Sequence, residues 1–365
     1  MKTRMTELLG IQHPIMLSGM NWLTTPRLVA AVSNAGGLGV LATQQFDIDR
    51  LRSAIREIRT LTNNPFGVNL TLGVGTDNLI PLVIEEKVPV VNYALGKPPT
   101  VSQLVNQVHA YNGKVMGTVA FLKHAVRAES LGVDMLSITG AEAAGHSANV
   151  GALVLLPTIT ETVKIPCIGA GGYCDGKGLV AALALGAEGI AMGTRLAATQ
   201  EAEVPQQIKD TWLKVTEEDN VIDTAFDGIP CRVWRNNAAE KMLKKSFPLM
   251  DSFTAALFMK RELGLTWPQL FKTANFLRKM PIGIGTQQRG LAASMRLAAG
   301  SRLFPKATVD GDLKNGLLIM GPVAGRVHDI PTVSDLISRT IREAEEILDN
   351  LNARSSTNQA PSVRG

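Results

Sequence analysis

Residues 165–195 read IPCIGAGGYCDGKGLVAALALGAEGIAMGTR, and the order of elements within them decides the fold. An apolar run, Ile165 to Ala170, ends in the paired glycines Gly171 and Gly172. A helical segment, Lys177 to Leu185, follows, and a second apolar run, Glu188 to Gly193, ends in another glycine before Thr194. Apolar strands joined by a helix are the unit of a parallel sheet covered by helices. Six similar runs precede this stretch: Pro14 to Ser18, Leu38 to Ala42, Phe66 to Leu72, Val88 to Tyr93, Lys114 to Ala120 and Val133 to Thr139. The segments between them carry helical spacing; in Asp47 to Leu61, for example, Ile48, Leu51, Ile55, Ile58 and Leu61 recur at three- and four-residue steps. Eight strand–helix repeats in about 200 residues are the arithmetic of a (β/α)8 barrel, with a doubly wound open sheet as the alternative.

After Thr194 the alternation stops. A helix-rich stretch from about Glu201 to Arg302 intervenes before a last amphipathic segment, Val333 to Leu351. A chain leaving a barrel after strand eight starts from the C-terminal face of the sheet, where barrel sites lie, so this stretch is expected to cap the site. The expected organisation is a (β/α)8 TIM barrel over residues 1–234 and an inserted helix-rich basic cap over 235–325. A C-terminal helix over 326–351 should pack on the barrel, and the polar tail 352–365 should be disordered. The glycines of Asn34-Ala-Gly-Gly-Leu-Gly39 end a helix and enter a strand, so they are expected to serve a turn on the opposite, stability-bearing face.

With 45% hydrophobic and 19% charged residues, and only 34 Gly and 18 Pro in 365, the composition excludes collagen-like, disordered and coiled-coil chains. Cys167, Cys174 and Cys231 are odd in number and lack C-x-x-C spacing, which argues against a zinc ribbon or disulfide scaffold and suits a reducing cytoplasm. No export signal or membrane anchor is expected. Net charge is +5, yet residues 235–306 hold 13 Lys and Arg against 3 Asp and Glu. A solvated helix face explains such a segment plainly. The functional reading is attraction of an anionic partner, an acidic carrier protein or a phosphorylated substrate. Nucleic acid is not expected, because zinc-finger, RRM and KH spacings are missing.

Gly171, Gly172, Gly193 and Thr194 are the expected phosphate-binding residues. Loops after strands seven and eight of a barrel often hold phosphate, with glycines admitting backbone N–H groups and a helix N-terminus adding positive potential. Gly176-Lys177 is followed by Gly178 rather than Ser or Thr, so a nucleotide P-loop is excluded, and G-x-G-x-x-G fails at Cys174. The second signal is Thr139-Gly-Ala-Glu-Ala-Ala-Gly-His146, directly after strand six. His146 is the best acid or base, since an imidazole moves protons near neutral pH, and Glu142 is the carboxylate expected to orient it. His13, His109 and His124 read as packing or solvated groups, and His328 as a supporting one. No grouping has zinc-ligand spacing, and Ser137 lacks the glycines of a nucleophile elbow, so no metal is expected. A phosphate site with one histidine suits a phosphate-bearing cofactor.

These residues resemble the flavin-dependent nitronate monooxygenase superfamily, which includes flavin enoyl-acyl carrier protein reductases and steroid-ring-degradation flavin reductases acting on CoA thioesters. The similarity runs through Met1-Lys-Thr-Arg-Met-Thr-Glu-Leu-Leu9, His13-Pro-Ile-Met-Leu-Ser-Gly-Met20, Ala35-Gly-Gly-Leu-Gly39, Pro65-Phe-Gly-Val-Asn69 and both glycine loops. The resemblance implies a barrel with bound FMN, contacted by Gly19, Met20, Asn69, Thr139, Ala144, Gly171, Gly172, Ala191, Met192, Gly193 and Thr194. Met20 and Asn69 would lie near the ring, and Gly172 and Ala191 to Thr194 around the phosphate. His146 matches the family's catalytic histidine. Leu17-Ser-Gly-Met20 stands in place of Gln-Ala-Pro-Met, closer to the enoyl reductase form. Thr139 stands where many members have Gln, Ala144 replaces a Gly, and Gly321-Pro-Val-Ala-Gly325 loses a glutamine. Arg232-Val-Trp-Arg235, Leu265-Thr-Trp-Pro-Gln269 and Asp310-Gly-Asp312 look most like the steroid-ring group.

The resemblance thus implies an FMN oxidoreductase moving a hydride to or from an enoyl or carbonyl group of a CoA or carrier thioester, with NAD(P)H as a transient donor. The expected partner is an anionic or CoA-linked small molecule, and self-association into a homo-oligomer is left open. Nitronate oxidation with O2, and flavin binding without turnover, are the competing readings.

Overall fold

The computed structural model describes residues 1–73, 75–147, 149–244, 257, 260, 266–268 and 302–357. Eight parallel strands form the barrel: β1 Ile15–Leu17, β2 Gly39–Ala42, β3 Phe66–Leu72, β4 Val90–Leu95, β5 Lys114–Val119, β6 Met135–Thr139, β7 Cys167–Ala170 and β8 Ile190–Met192. They hydrogen-bond in sequence order from β2 to β8, and β8 then pairs with β1. A Met16–Leu38 bridge closes the ring, with the Leu17 and Leu38 N–H groups donating to Leu38 O and Ile15 O at 2.9 Å. All eight runs read from the sequence are strands, and the closed ring removes the open-sheet alternative.

The strands bury both faces because they divide two cores. Met16, Val40, Val90, Met116, Met135, Ile168 and Ala191 fill the barrel interior, which Met5 and Leu9 of the helix Arg4–Leu9 plug from the N-terminal end. The opposite strand faces, including Leu17, Leu41, Val68, Val91 and Leu136, pack on the surrounding helices. Local sequence starts those helices where chemistry allows: the Asp47 carboxylate accepts from Arg50 N–H ahead of Ile48–Leu61, and Asp175 from Gly178 N–H ahead of Gly176–Ala184.

The C-terminal helix Val333–Thr357 belongs to the barrel. Its Val333, Leu336, Ile337, Ile341 and Ala344 join the outer core, and it lies against the helices Gly176–Ala184 and Pro26–Asn34. It therefore fills the place of the eighth barrel helix, and the cap is an insertion in the last strand-to-helix connection. The helix continues past Leu351 through Thr357, which corrects the tail expected from Asn352; residues 358–365 lie outside the described residues.

The expected barrel limit at residue 234 also moves. The helix Gln206–Trp212 and an antiparallel hairpin, β9 Asn220–Asp223 and β10 Cys231–Trp234, share their apolar faces with the cap. Ile208 and Trp212 pack with Leu318, Met320 and Val327, whereas Phe226, Cys231 and Val233 pack with Phe304 and Leu317. Residues 245–256 and 269–301, which carry much of the basic charge, lie outside the described residues. Among the described residues, no helix is long and apolar enough to cross a membrane.

The turn glycines at the N-terminal face serve packing, as expected. A Cβ on Gly39 would lie 2.0 Å from Val29 O, a backbone atom that cannot step aside. Gly39→Ala is expected to destabilise the fold at or above the upper end of about 1–3 kcal/mol. Urea unfolding should show a lower midpoint with unchanged slope.

Candidate active site

The C-terminal ends of β6, β7, β8 and β1 come together in register: Thr139 opposes Ala170, Ala170 opposes Ala191, and Ala191 opposes Met16. The loops that follow therefore form one arc. Gly171 and Gly172 hold φ of 100° and 83°, where a side chain is strained. A Cβ on Gly171 would also sit 2.7 Å from Ala143 N, and one on Gly172 3.1 Å from the Glu142 Cβ. The β7 loop thus leans directly on the His146 loop. On the far side, a Cβ on Gly193 would meet the Met20 sulfur at 3.3 Å, and Ser18 N–H donates to Met192 O at 2.9 Å. Thr194 is buried at the start of the short helix Thr194–Ala197.

The small residues fit the phosphate end of a flavin: adding a Cβ would fill this cradle. A second fitting feature is Ser147, next to His146, whose buried hydroxyl has no hydrogen-bond partner among the described residues. The helix start after β7 is not available, however. Gly176 N–H donates to the Glu343 carboxylate at 2.9 Å and Gly178 N–H to Asp175 at 3.0 Å, so protein carboxylates already satisfy the N-terminus after β7. A phosphate here would lie against the glycine loops and the short helix that starts at Thr194.

The interior floor of the mouth is polar. A Cβ on Gly19 would lie 2.8 Å from the Asn69 Cβ, which sets the β1 loop against β3. The Asn69 side-chain amide donates to Asn92, and Asn92 donates to Thr118 Oγ1 at 3.0 Å and Met116 O at 3.2 Å. Asn92 escaped the sequence reading. Its signal is an amide inside the apolar strand Val90–Leu95, where burial demands partners. Of the other expected contacts, Ala144 faces Gly321, and the Met192 side chain lies in the outer core, leaving only its backbone toward the mouth.

His146 is half exposed at the mouth, and its Nε2 lies 2.6 Å from Oδ2 of Asp227, which is only 2% exposed. A carboxylate accepts only, so Nε2 carries a proton, and in the neutral ring Nδ1 keeps the lone pair. Asp227 is itself held, accepting Ile229 N–H at 3.2 Å through Oδ1. The expectation that Glu142 orients His146 is corrected: the Glu142 carboxylate accepts Ala152 N–H at 3.0 and 3.1 Å, at the start of the helix Ala152–Thr160. Orphan N–H groups at a helix start are a stronger local claim on a nearby carboxylate than a loop histidine.

Arg232 of β10 fixes the loop from the cap side. Its guanidinium donates to Ala143 O at 3.2 Å and Ala141 O at 2.9 Å, and also to Asn220. The Gly145 and Arg232 backbones exchange hydrogen bonds at 3.1 and 2.8 Å. Burial pulls the guanidinium below its usual pKa, while the Glu142 charge opposes that shift.

His328 lines a different cleft, of about 340 Å³, with Arg195, Arg326, Asp329 and Arg339. There Asp329 bridges the buried Arg195 at 2.7 Å and Arg339 at 2.7 Å, pinning the returning cap to the barrel. The Arg339 hydrogen bond above all holds the Asp329 carboxyl below its ordinary value of 3.8; burial opposes it, and the Arg195 charge adds a smaller lowering effect. A depressed carboxyl contributes stability that is full above the ordinary value and vanishes as pH falls through the folded one. Asp329→Asn is expected to cost about 1 kcal/mol at neutral pH, solvent screening limiting the loss. In thermal unfolding, its deficit should shrink steadily below pH 3.8.

The family model described as nitronate monooxygenase matches residues 2–78 and 71–343. The chain is 35% identical, over 97% of its length and 98% of the relative's, to a (3aS,4S,5R,7aS)-5-hydroxy-7a-methyl-1-oxo-octahydro-1H-indene-4-carboxyl-CoA dehydrogenase of Rhodococcus jostii. It is 31% identical to a probable nitronate monooxygenase of Staphylococcus aureus, over 70% of this chain and 86% of that one. The solved structure of FabK from Thermotoga maritima superposes with a TM-score of 0.78 at 33% identity, covering 97% of this chain and 99% of the other. By model, sequence and fold together, the chain belongs to the nitronate monooxygenase family of flavin-dependent oxidoreductases.

Proposed function

We propose that this protein is an FMN-dependent oxidoreductase that moves a hydride to or from an enoyl or carbonyl group of a CoA or acyl-carrier thioester. The observation that carries the reading is the His146–Asp227 pair set beside the glycine arc. The likeness to a CoA-thioester dehydrogenase along almost the whole of both chains supports the substrate class. A mononucleotide is favoured because no dinucleotide fingerprint follows these glycines.

When bound, the flavin supplies hydride chemistry. The chain's own part is to hold and to move protons. Gly171, Gly172, Gly193 and Thr194 would bind the phosphate, while Met20 and the Asn69–Asn92 pair would hold the ring end from the barrel side. His146 Nδ1 takes a proton from the substrate hydroxyl or α-carbon, or returns one, and Asp227 stabilises the cationic ring that results. The basic cap suits an anionic, CoA-linked substrate, NAD(P)H serves as a transient donor, and the three unpaired cysteines suit a cytoplasmic protein.

Anaerobic flavin absorbance, titrated with NAD(P)H, a nitronate and a panel of enoyl- and hydroxyacyl-CoA thioesters, tests the reading. Bleaching by a nicotinamide and recolouring by an enoyl thioester, or direct bleaching by a hydroxyacyl thioester, is expected. The staphylococcal relatives favour nitronate oxidation as the second reading, and bleaching by nitronate alone would decide for it. Protein that holds no flavin after FMN is added would overturn both.

A further inference from the structure

Beside the histidine lies a group that the reaction does not use. Cys231 is fully buried, and its Sγ, an Asp227 oxygen and a His146 ring nitrogen all lie within 4.8 Å of one another. We propose that His146, Asp227 and Cys231 form a site for a thiophilic divalent cation, zinc above all, that switches off the proton-transfer residue. The switch rests on the reading of His146 given above; the cation site itself does not.

The donors are one nitrogen, one carboxylate oxygen and one sulfur, a set that selects zinc over magnesium or calcium. Tetrahedral zinc with bonds of about 2.0–2.3 Å holds its ligand atoms about 3.3–3.6 Å apart. The 2.6 Å His146–Asp227 contact needs to open by less than about 1 Å, and the sulfur, within 4.8 Å of both, to close by at most about 1.5 Å. Those moves are small, because the backbone already fixes the approach. Asp227 and Cys231 are four residues apart on the turn entering β10, and the Gly145–Arg232 backbone pair ties that strand to the His146 loop. Asp227 and Cys231 are closed off from solvent, whereas the His146 side chain is 49% exposed and gives an ion its way in. Three protein ligands leave a fourth position for water.

Cation binding breaks the Cys231 S–H bond, forms the metal–sulfur bond and releases one proton to solvent, with no redox change. His146 stays neutral. Its Nε2 turns from Asp227 to the metal, and its single proton moves to Nδ1. The lone pair that would accept a substrate proton is then gone.

Co2+ titration of chelator-treated, FMN-loaded protein reads the site directly, at wavelengths where flavin does not absorb. One Co2+ per chain with tetrahedral d–d bands is expected, displaced by Zn2+. X-ray absorption of the zinc form should show one sulfur at about 2.3 Å. Cys231→Ser should weaken binding at least tenfold and abolish the sulfur shell; Cys231→Ala serves if the serine form does not retain flavin. Zn2+ should inhibit turnover, and a chelator should restore it. No cobalt bands, or bands and zinc shell unchanged in the Cys231 variant, would overturn the site, even if His146→Ala is inactive. Stoichiometric, Cys231-dependent binding with undiminished turnover would instead overturn the switch and, with it, the role given to His146.

Discussion

Asp227→Asn should lower kcat by about 10²- to 10⁴-fold while the protein keeps its flavin. An asparagine fits the same space, and its amide can present N–H toward His146 Nε2. The ring then places its proton on Nδ1, the nitrogen proposed to serve the substrate, and loses the base. The buried negative charge that stabilises the protonated ring is lost as well. His146→Ala should cost about as much, and the double variant scarcely more than either single one, since the two groups act as a unit. Anaerobic single-turnover traces, with flavin content as the control for folding, separate this from a structural role. Equal activity of Asp227→Asn and the parent would dismiss the pair as the proton-transfer device. A Glu142→Gln variant offers the contrast: its amide oxygen can still accept Ala152 N–H, so its effect should fall on the local helix start rather than on proton transfer.

The carboxylate that pairs with His146 is the one the sequence does not show. Glu142 stands four residues before His146 and Asp227 eighty-one after it, and nothing along the chain ranks the second above the first. Only the cap hairpin, folded back over the barrel mouth, brings Asp227, Cys231 and Arg232 to the His146 loop. Local features were legible for the opposite reason. Strand alternation, helix spacing and the glycines at Gly171, Gly172 and Gly193 are written in neighbouring residues, and β-sheet closure then follows from repeat number. His146 was legible because its loop leaves a strand whose end must face the mouth.

Other misses have the same cause. Val333–Thr357 carries an ordinary amphipathic pattern, and its place as eighth barrel helix depends on the insertion returning the chain to the right gap. The helix start at Gly176 is satisfied by Glu343 of that same C-terminal helix, 167 residues away in sequence. Residues 206–234 seemed to belong to the barrel by position, yet their apolar faces match those of residues 303–330. In each case, a contact of long sequence separation overrode a reading based on proximity.

Gly171→Ala is expected to weaken flavin binding by at least 100-fold. Two penalties coincide at this position. An alanine at φ 100° is strained by about 1–2 kcal/mol, and its Cβ would meet Ala143 N at 2.7 Å. Relief requires the β7 loop to move away from the His146 loop, which opens the arc that would hold the phosphate. Gly132→Ala supplies the matched control. It has φ 83° and only the Val105 side chain, 3.5 Å away, in ordinary contact, at the turn before β6 on the other side of the barrel. It carries the backbone strain without disturbing the mouth. Flavin titration by fluorescence quenching, with urea unfolding in parallel, should show stability falling in both variants and flavin affinity falling only in Gly171→Ala. Equal flavin affinity in the two would mean that the β7 loop does not hold the phosphate. If Gly132→Ala lost flavin as well, general destabilisation rather than the arc would explain the loss.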